Sequence, residues 1–365
     1  ATPIYDTALS FAASSEDPIS GGRHKVIGSK KLNIPPQTST IASHLPKAVG
    51  AAVSIDRAKD LSIQERNLKD GSIVLCSFGD ASANHATALS AFNTASLIQH
   101  SGGHVPIVFI CEDNGIGISV PTEKSWIEKN FSQRNGIKYI KADGLNIIDL
   151  LHKTSLANEF SKTKRQPVFL HMKTVRLLGH AGSDIEVGYK TLNEIETIEF
   201  NDPLLHTARI MIDKKLLSKE DIISIYENSR MRVSQVFDQA CTRPKLNNSK
   251  NVMKSITASN TKRKAPSLPN EAKRRGVFDK EYQRLNNKNH MAGLINYALS
   301  DILLRYSNTV IFGEDVGKKG GVYHITANLQ KQFGARRVFD SPLDETSIIG
   351  FASGFGHNGF VTIPE

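Results

Sequence analysis

The sequence has few cysteines and no long apolar run, and each absence narrows the class of protein. Its 365 residues contain three cysteines, Cys76, Cys111 and Cys241, which are odd in number and far apart. This usage indicates a reducing compartment such as the cytoplasm and argues against a disulfide framework. No apolar run approaches the roughly 20 residues that span a bilayer, so we expect no membrane anchor. Residues 1–20 lack a basic segment followed by an apolar core, so we expect no secretory signal peptide there.

The excess of positive charge is confined to one segment. The chain carries a net charge of +10, and residues 242–288 alone hold 13 Lys and Arg against 3 Asp and Glu. The same segment is rich in Asn, Ser and Pro and lacks apolar periodicity, which predicts a solvated or disordered linker. A docking arm for an acidic partner is the second interpretation. A nucleic-acid site is disfavoured because the basic residues do not follow a folded pattern.

The rest of the chain alternates apolar runs with helical periodicity, which predicts an α/β fold with a parallel sheet covered by helices on both faces. We expect a first domain over residues 1–241, the basic linker over 242–288, and a second α/β domain over 289–365. The second domain stops in mid-pattern, so we expect it to be truncated. Ser218 followed by Asp221 predicts a capping box that opens a helix over 219–239.

Residues 76–119 carry the strongest signal for chemistry. A short apolar run ends in Gly79-Asp80, a helical segment follows, and a second apolar run ends in Glu112-Asp113-Asn114-Gly115. Two parallel strands joined by a helix bring their carboxyl ends to the same sheet edge, so we expect Asp80 and Asn114 to lie side by side. One carboxylate and one amide oxygen suit Mg²⁺, and the N-terminus of the helix that starts after Asp80 suits a diphosphate.

Three motifs then resemble those of one enzyme family. Gly79-Asp80-Ala81 with Asp113-Asn114 resembles the GDG…NN motif that binds thiamine diphosphate. Residues 174–180, TVRLLGH, resemble a loop of the α subunits of 2-oxoacid dehydrogenase E1 components. Residues 313–316, GEDV, and 338–345, VFDSPLDE, resemble the start of the E1 β subunits. The chain is therefore similar to a fused α–β E1 component of the branched-chain type, with a thiamine diphosphate-binding fold and a pyrimidine-binding domain.

The resemblance implies a role for each matching residue. Asp80, Asn114 and the carbonyl of Ile116 match the ligands of Mg²⁺. The backbone of Ala81 and Ser82 and the side chain of Arg176 match positions that bind the diphosphate of the cofactor. The backbone of Ser39 and Ile41 matches positions that hold the aminopyrimidine ring, and Glu314 matches a position near that ring. Glu345 matches the glutamate that makes the cofactor reactive, and His180 lies beside the reacting carbon and could shuttle protons. The motif usually has Gly at the position of Ala81.

Each of these residues also has an ordinary structural interpretation. Asp80 alone would be a helix N-cap, Asn114-Gly115 a turn, and Glu345 a first-turn carboxylate that favours the helix dipole. Arg176 alone would be a surface cation and His180 a loop histidine, while Glu314 fits a structural turn equally well. All of these residues occur along the chain in the same order as in the E1 family, and this joint occurrence favours the functional interpretation.

The function implied by the resemblance is oxidative decarboxylation of a 2-oxo acid, either branched-chain or pyruvate, with transfer of the acyl group to the lipoyl domain of an E2 acyltransferase. Thiamine diphosphate and Mg²⁺ would be the cofactors, and a homodimer or larger oligomer is expected because Glu345 would reach the cofactor held by Asp80 of a partner chain. Two alternatives are a transketolase-type carboligase and a non-catalytic assembly subunit.

Overall fold

Buried apolar runs form the parallel strands of the main sheet, as the sequence pattern predicts. The structure, a computed structural model, describes residues 3–36, 39–257 and 267–365. In chain order, the strands are β1 (Val74–Gly79), β2 (Ile107–Asp113), β3 (Ile116–Gly117), β4 (Val120–Pro121), β5 (Lys138–Asp143), β6 (Val168–Lys173), β7 (Thr309–Gly313), β8 (Val338–Asp340) and β9 (Val361–Pro364). The helices are α1 (Pro3–Phe11), α2 (His44–Asp60), α3 (Ala86–His100), α4 (Trp126–Phe131), α5 (Ile147–Lys164), α6 (Leu192–Phe200), α7 (Pro203–Asp213), α8 (Lys219–Cys241), α9 (Ser249–Met253), α10 (Glu271–Phe278), α11 (Met291–Arg305), α12 (Leu329–Phe333) and α13 (Glu345–His357).

The chain divides into two compact units. One comprises Ala1–Thr40 and Leu204–Ala265, and the other comprises Ile41–Pro203 and Pro266–Glu365. The larger unit holds a parallel sheet of strand order β1-β2-β6-β5 and a second parallel sheet of order β8-β7-β9. This confirms the predicted parallel α/β architecture. The predicted domain boundaries at residues 241 and 288 stay a prediction.

Alternate residues of the central strands face two different layers. Ile107, Phe109 and Cys111 of β2 belong to the core beneath α2 and α3, whereas Val108 belongs to the core beneath α5. This alternation follows from the two-residue period of a strand, and it explains why β2 is apolar on both faces. Several phenylalanine rings interlock in the first core, and each such buried ring contributes about 1.5–3 kcal/mol.

Small residues let α13 pack closely on α2. A methyl group on Gly50 would lie 2.7 Å from the Cα of Phe351, and one on Gly354 would meet the backbone of Lys47 and Ala51. The Oγ atoms of Thr94 on α3 and Ser347 on α13 are 2.7 Å apart and form a buried hydrogen bond. The second sheet is thereby held against the helices of the first within the larger unit.

The smaller unit is organised around α1 and α8. Ala8, Leu9 and Ala240 are buried where these helices pack, and the N–H of Ser15 donates to the carbonyl of Pro244 at 2.7 Å. The predicted capping box is confirmed, since Ser218 and Asp221 exchange side-chain and backbone hydrogen bonds at the start of α8.

The basic segment contains more regular structure than its composition predicts. Among its described residues, Asn248 and Asn270 are the N-caps of α9 and α10, and their side chains accept hydrogen bonds from backbone N–H groups. Arg274 forms a two-pronged ion pair with Asp301 of α11 at 2.8 and 3.0 Å. Local capping and ion pairing thus order parts of a segment that has little apolar surface to bury. Residues 258–266 lie outside the described residues.

Two helices lie outside the elements predicted above, and only one of them carries a local signal at its start. Thr191 and Glu194 form a capping box at the start of α6, and α4 begins at Trp126. The T-x-x-E pattern of α6 is recognisable in the sequence, but α4 is only six residues long and has no such signal. In the described part of the chain, no helix combines the length and apolarity that crossing a membrane requires.

The close contact of α13 with α2 makes one glycine position intolerant of a side chain. We expect Gly354→Ala to lower the free energy of unfolding by about 1–3 kcal/mol, because the added methyl group overpacks the helix crossing. Gly356→Ala is the matched control in the same helix, since a Cβ there meets no atom within 4 Å. Chemical denaturation should show a change of less than about 1 kcal/mol for the control. Equal losses in both variants would contradict a tight helix crossing.

Candidate cofactor-binding site

Asp80 lies at the carboxyl end of β1 and is almost fully buried, with 2% of its surface exposed. Its Oδ2 atom accepts a hydrogen bond from the hydroxyl of Thr122, a residue that no sequence motif indicated. Asp80 makes no side-chain cap to the turn that follows it. The N-cap interpretation of this carboxylate is therefore not supported by the geometry.

The helix that follows Asp80 is preceded by a short turn. A 3₁₀ turn over Ala81–Asn84 comes first, and α3 begins at Ala86 with His85 as its N-cap. The ring of His85 accepts the N–H of Thr87 at 3.2 Å, which a histidine can do through its unprotonated nitrogen. The backbone of Ala81 and Ser82 therefore belongs to a tight turn rather than to the first turn of the helix.

Asn114 follows the neighbouring strand, so the predicted juxtaposition is present. Gly79 of β1 pairs with Glu112 of β2, and the N–H of Asp80 donates to the carbonyl of Glu112 at 3.3 Å. The Oδ1 atom of Asn114 accepts the N–H of Ile116 at 3.1 Å, which leaves this oxygen a second lone pair. Asp80 and Asn114, at the ends of these adjacent strands, define what we call the Asp80 corner. The hydroxyl of Thr122 donates to Asp80, so the β3–β4 hairpin that carries Ile116 lies against this corner.

Ala81 fits this corner because the residue opposite is a glycine. A Cβ built on Gly117 would lie 2.7 Å from the Cβ of Ala81. The methyl group of Ala81 therefore occupies space that a side chain at position 117 would need. Ala81 is therefore accommodated by the absence of a side chain at Gly117.

Arg176 lies over the same loop and is tied to it. Its guanidinium donates to the carbonyl of Ile118 at 2.7 Å and to the hydroxyl of Tyr189 at 2.8 Å. Asp184 accepts the N–H of His180 at 2.6 Å and the hydroxyl of Tyr189 at 2.8 Å, and these bonds lower the pKa of its carboxyl group. The segment around His180 is thus linked to Arg176 through Tyr189 and Asp184, and the side chain of His180 remains exposed.

Asp113 replaces the first Asn of the motif and is paired within the sheet. Its Oδ2 atom accepts hydrogen bonds from His171 at 2.7 Å and Lys173 at 2.8 Å. Burial by itself would raise the pKa of Asp113, but these two donors outweigh it and lower the pKa to about 2. His171 therefore serves as a partner of Asp113, and no sequence motif indicated this pairing.

The two glutamates of the second sheet are placed differently. Glu314 follows β7, and its Oε1 atom is buried without a hydrogen-bond partner among the described residues. Glu345 opens α13 and is exposed. Ser347 of α13 is hydrogen-bonded to Thr94 of α3. Thr94 lies about 12 Å along the helix axis from Ala86, the first residue of α3. Glu345, two residues before Ser347, therefore lies beside the middle of α3.

The two remaining positions, Ser39 and Ile41, flank Thr40, the residue at which the first segment of the smaller unit ends along the chain. Ser39 belongs to the smaller unit and Ile41 to the larger unit, and both residues are exposed. Their predicted contact with an aminopyrimidine ring stays a prediction.

The residues present fit a magnesium diphosphate group. Asp80 and Asn114 supply the hard oxygen ligands that Mg²⁺ prefers. Among the described residues, the Nε atom of Arg176 is buried and has no hydrogen-bond partner, so this cation retains a donor for an anion. In that same part of the chain, no group of three or more His, Cys, Asp and Glu side chains forms a metal cluster. This agrees with a metal held by few protein ligands and completed by phosphate and water.

A parallel sheet with a carboxylate and an amide at adjacent strand ends, and an arginine above them, defines a cofactor-binding α/β protein. A family profile described as "Dehydrogenase E1 component" matches residues 5–249, and one described as "Transketolase, pyrimidine binding domain" matches residues 288–365. The chain therefore belongs to the dehydrogenase E1 component family. This confirms the predicted resemblance and thiamine diphosphate-binding fold, and membership supports thiamine diphosphate as the cofactor.

Curated relatives point to the same family. The chain is 27% identical over 224 residues to the 2-oxoisovalerate dehydrogenase subunit alpha of Homo sapiens, covering 60% of this chain and 47% of the relative. It is 27% identical over 186 residues to the pyruvate dehydrogenase E1 component subunit alpha of Dictyostelium discoideum, covering 50% of this chain and 48% of the relative. Both relatives are named as mitochondrial. The chain spans about half the length of the curated relatives it matches.

The contact between Ala81 and Gly117 predicts a reciprocal pair of substitutions. We expect Gly117→Ala to lower the free energy of unfolding by about 1–3 kcal/mol, since its methyl group would overlap that of Ala81. The double variant Ala81→Gly with Gly117→Ala should regain most of this loss, because one methyl group again occupies the space. Thermal unfolding of both single variants and the double variant measures the coupling, and additive effects would show that the two positions do not share this space.

Proposed function

We propose that the chain provides the E1 activity of a 2-oxoacid dehydrogenase complex, which decarboxylates a 2-oxo acid and transfers the acyl group to a lipoyl group. The observation that carries this proposal is the corner where Asp80 and Asn114 end adjacent parallel strands, with Arg176 held over the loop that follows. Branched-chain 2-oxo acids and pyruvate are the substrate candidates, in line with the names of the two kinds of relatives.

The residues of the corner would hold the metal and the diphosphate. Asp80, Asn114 and the carbonyl of Ile116 would bind Mg²⁺, while Arg176 and the N–H groups of Ala81 and Ser82 would bind the diphosphate. Thr122 and the loop of β3 and β4 keep Asp80 out of bulk water, which strengthens its attraction for a cation.

Proton control would come from other parts of the chain. When bound, thiamine diphosphate supplies the electron sink for decarboxylation. Glu345 would hold a proton at the aminopyrimidine ring, with Glu314 close to that ring and with Ser39 and Ile41 orienting it through their backbone. His180 would move protons beside the substrate carbonyl. General acid–base groups of this kind contribute about 10²–10⁴-fold to the rate.

We further propose that the complete site forms between two chains. Glu345 is exposed and lies beside the middle of α3, and the family resemblance implies that this glutamate reaches a cofactor held by Asp80 of a second copy. This geometry supports a homodimer or a larger oligomer. The lipoyl domain of an E2 acyltransferase is the proposed acyl acceptor.

A cytoplasmic location remains part of the proposal and rests on the cysteines. Cys76 and Cys111 are free and buried, and burial raises the pKa of the Cys76 thiol to about 12. Neither thiol has the exposure or the lowered pKa of a reactive cysteine, as predicted for small core residues.

Substitution of the two halves of the site tests the proposal. We expect Asp80→Ala to abolish Mg²⁺-dependent binding of thiamine diphosphate, measured by calorimetry on the full-length protein. Glu345→Gln should retain binding but lose acyl transfer to a lipoyl domain, because the ring would lose its carboxylate partner. Wild-type protein that binds no thiamine diphosphate would contradict the enzyme proposal and favour an assembly subunit. Transfer to an aldehyde of a sugar phosphate instead of lipoyl would favour a carboligase.

Co-expression of the two inactive variants tests whether the site is shared. Random pairing of Asp80→Ala chains with Glu345→Gln chains gives mixed dimers in which one of two sites is intact, so about a quarter of wild-type activity should return. Native mass spectrometry verifies that mixed dimers form. An inactive mixture that contains mixed dimers would contradict a site formed between chains.

A further inference from the structure

A line of polar side chains crosses three neighbouring strands, from Tyr139 near the start of β5 to Asp113 at the end of β2. The hydroxyl of Tyr139 on β5 lies 2.6 Å from Nδ1 of His171 on β6, and Nε2 of His171 lies 2.7 Å from Oδ2 of Asp113 on β2. Lys173 of β6 reaches the same oxygen at 2.8 Å. Parallel pairing sets these contacts, because Asp113 is in register with Lys173.

The line is buried where it approaches the cofactor corner. His171 is 2% exposed and Asp113 is 6% exposed. Both ring nitrogens of His171 are used, one with Tyr139 and one with Asp113, so the ring has a single orientation. A buried polar group that loses its partner costs free energy, which keeps such a network together.

Asp113 also makes hydrogen bonds that fix the turn carrying Asn114. Its Oδ1 atom accepts the N–H of Gly115 at 3.2 Å, and its carbonyl accepts the N–H of Thr174 at 2.9 Å. Gly115 has a φ of +78°, in the left-handed region that favours glycine. The turn is therefore fixed on both sides of Asn114, by the side chain of Asp113 and by the backbone of Ile116.

We propose that His171 and Tyr139 are positioning residues for metal binding, acting through Asp113 on the turn that presents Asn114 and Ile116. This inference rests on the proposed function, since it concerns the metal of that site. Partners that orient metal ligands are worth about 10–100-fold in metal affinity when they are removed. A histidine that only fills the core would affect stability and leave metal affinity unchanged.

The single tryptophan offers a reporter of the site. Trp126 donates its indole N–H to Oδ1 of Asn84 at 2.6 Å, and Asn84 ends the turn that follows Asp80. Its fluorescence should therefore change when a magnesium diphosphate group orders that turn.

The test is a Mg²⁺ titration of the full-length protein at fixed thiamine diphosphate, followed by Trp126 fluorescence and by calorimetry. We expect His171→Leu to raise the Mg²⁺ midpoint about 10–100-fold. His171→Gln, which retains an N–H donor towards Asp113, should regain much of this affinity, and Tyr139→Phe should have an intermediate effect.

His104→Gln is the matched control. His104 also pairs with a carboxylate, at 2.7 Å from Asp56, but it precedes the amino end of β2, opposite the cofactor corner. Its substitution should leave the Mg²⁺ midpoint unchanged. A loss of affinity in the control equal to that of His171→Leu would overturn the inference.

Unchanged midpoints in folded His171→Leu and Tyr139→Phe proteins, within about twofold of wild type, would overturn the inference alone and leave the proposed function intact. If His171→Leu does not fold, Tyr139→Phe decides, because it keeps the ring and removes only the hydroxyl. Wild-type protein that binds no thiamine diphosphate would overturn the proposed function together with this inference.

Discussion

The parallel pairing of β1 with β2 is the constraint on which the candidate site depends. It brings Asp80 beside the turn of Asn114, although 33 residues separate them in the sequence. Neither residue could bind a cation well alone, since one carboxylate or one amide offers too few oxygens. Burial of apolar side chains supplies the free energy that holds this pairing, since Cys76 and Phe78 of β1 lie in one core and β2 is buried on both faces.

Near this strand pairing, two residues that differ from the usual motif, Ala81 and Asp113, are each accommodated by the residues that contact them. Ala81 is tolerated because Gly117 has no side chain, and the negative charge of Asp113 is tolerated because His171 and Lys173 donate to it. An unpaired carboxylate in this buried position would be costly, so the three residues behave as one unit.

The second sheet is positioned by sterics rather than by charge. Glycines at the crossing of α2 and α13 let the helix backbones approach closely, and the hydrogen bond of Thr94 with Ser347 sets the start of α13 beside the middle of α3. Glu345 is exposed there, which is the starting point for the proposed sharing of the site between two chains.

The sequence by itself determined the alternation of strands and helices, the capping box of α8 and the identity of Asp80, Asn114, Arg176 and Glu345 as site candidates. These signals are local, because periodicity, caps and motifs act over a few residues. Only the tertiary structure decided that Thr122 contacts Asp80 and that His171 pairs with Asp113. Such contacts join distant segments through packing and register, and no spacing along the chain encodes them.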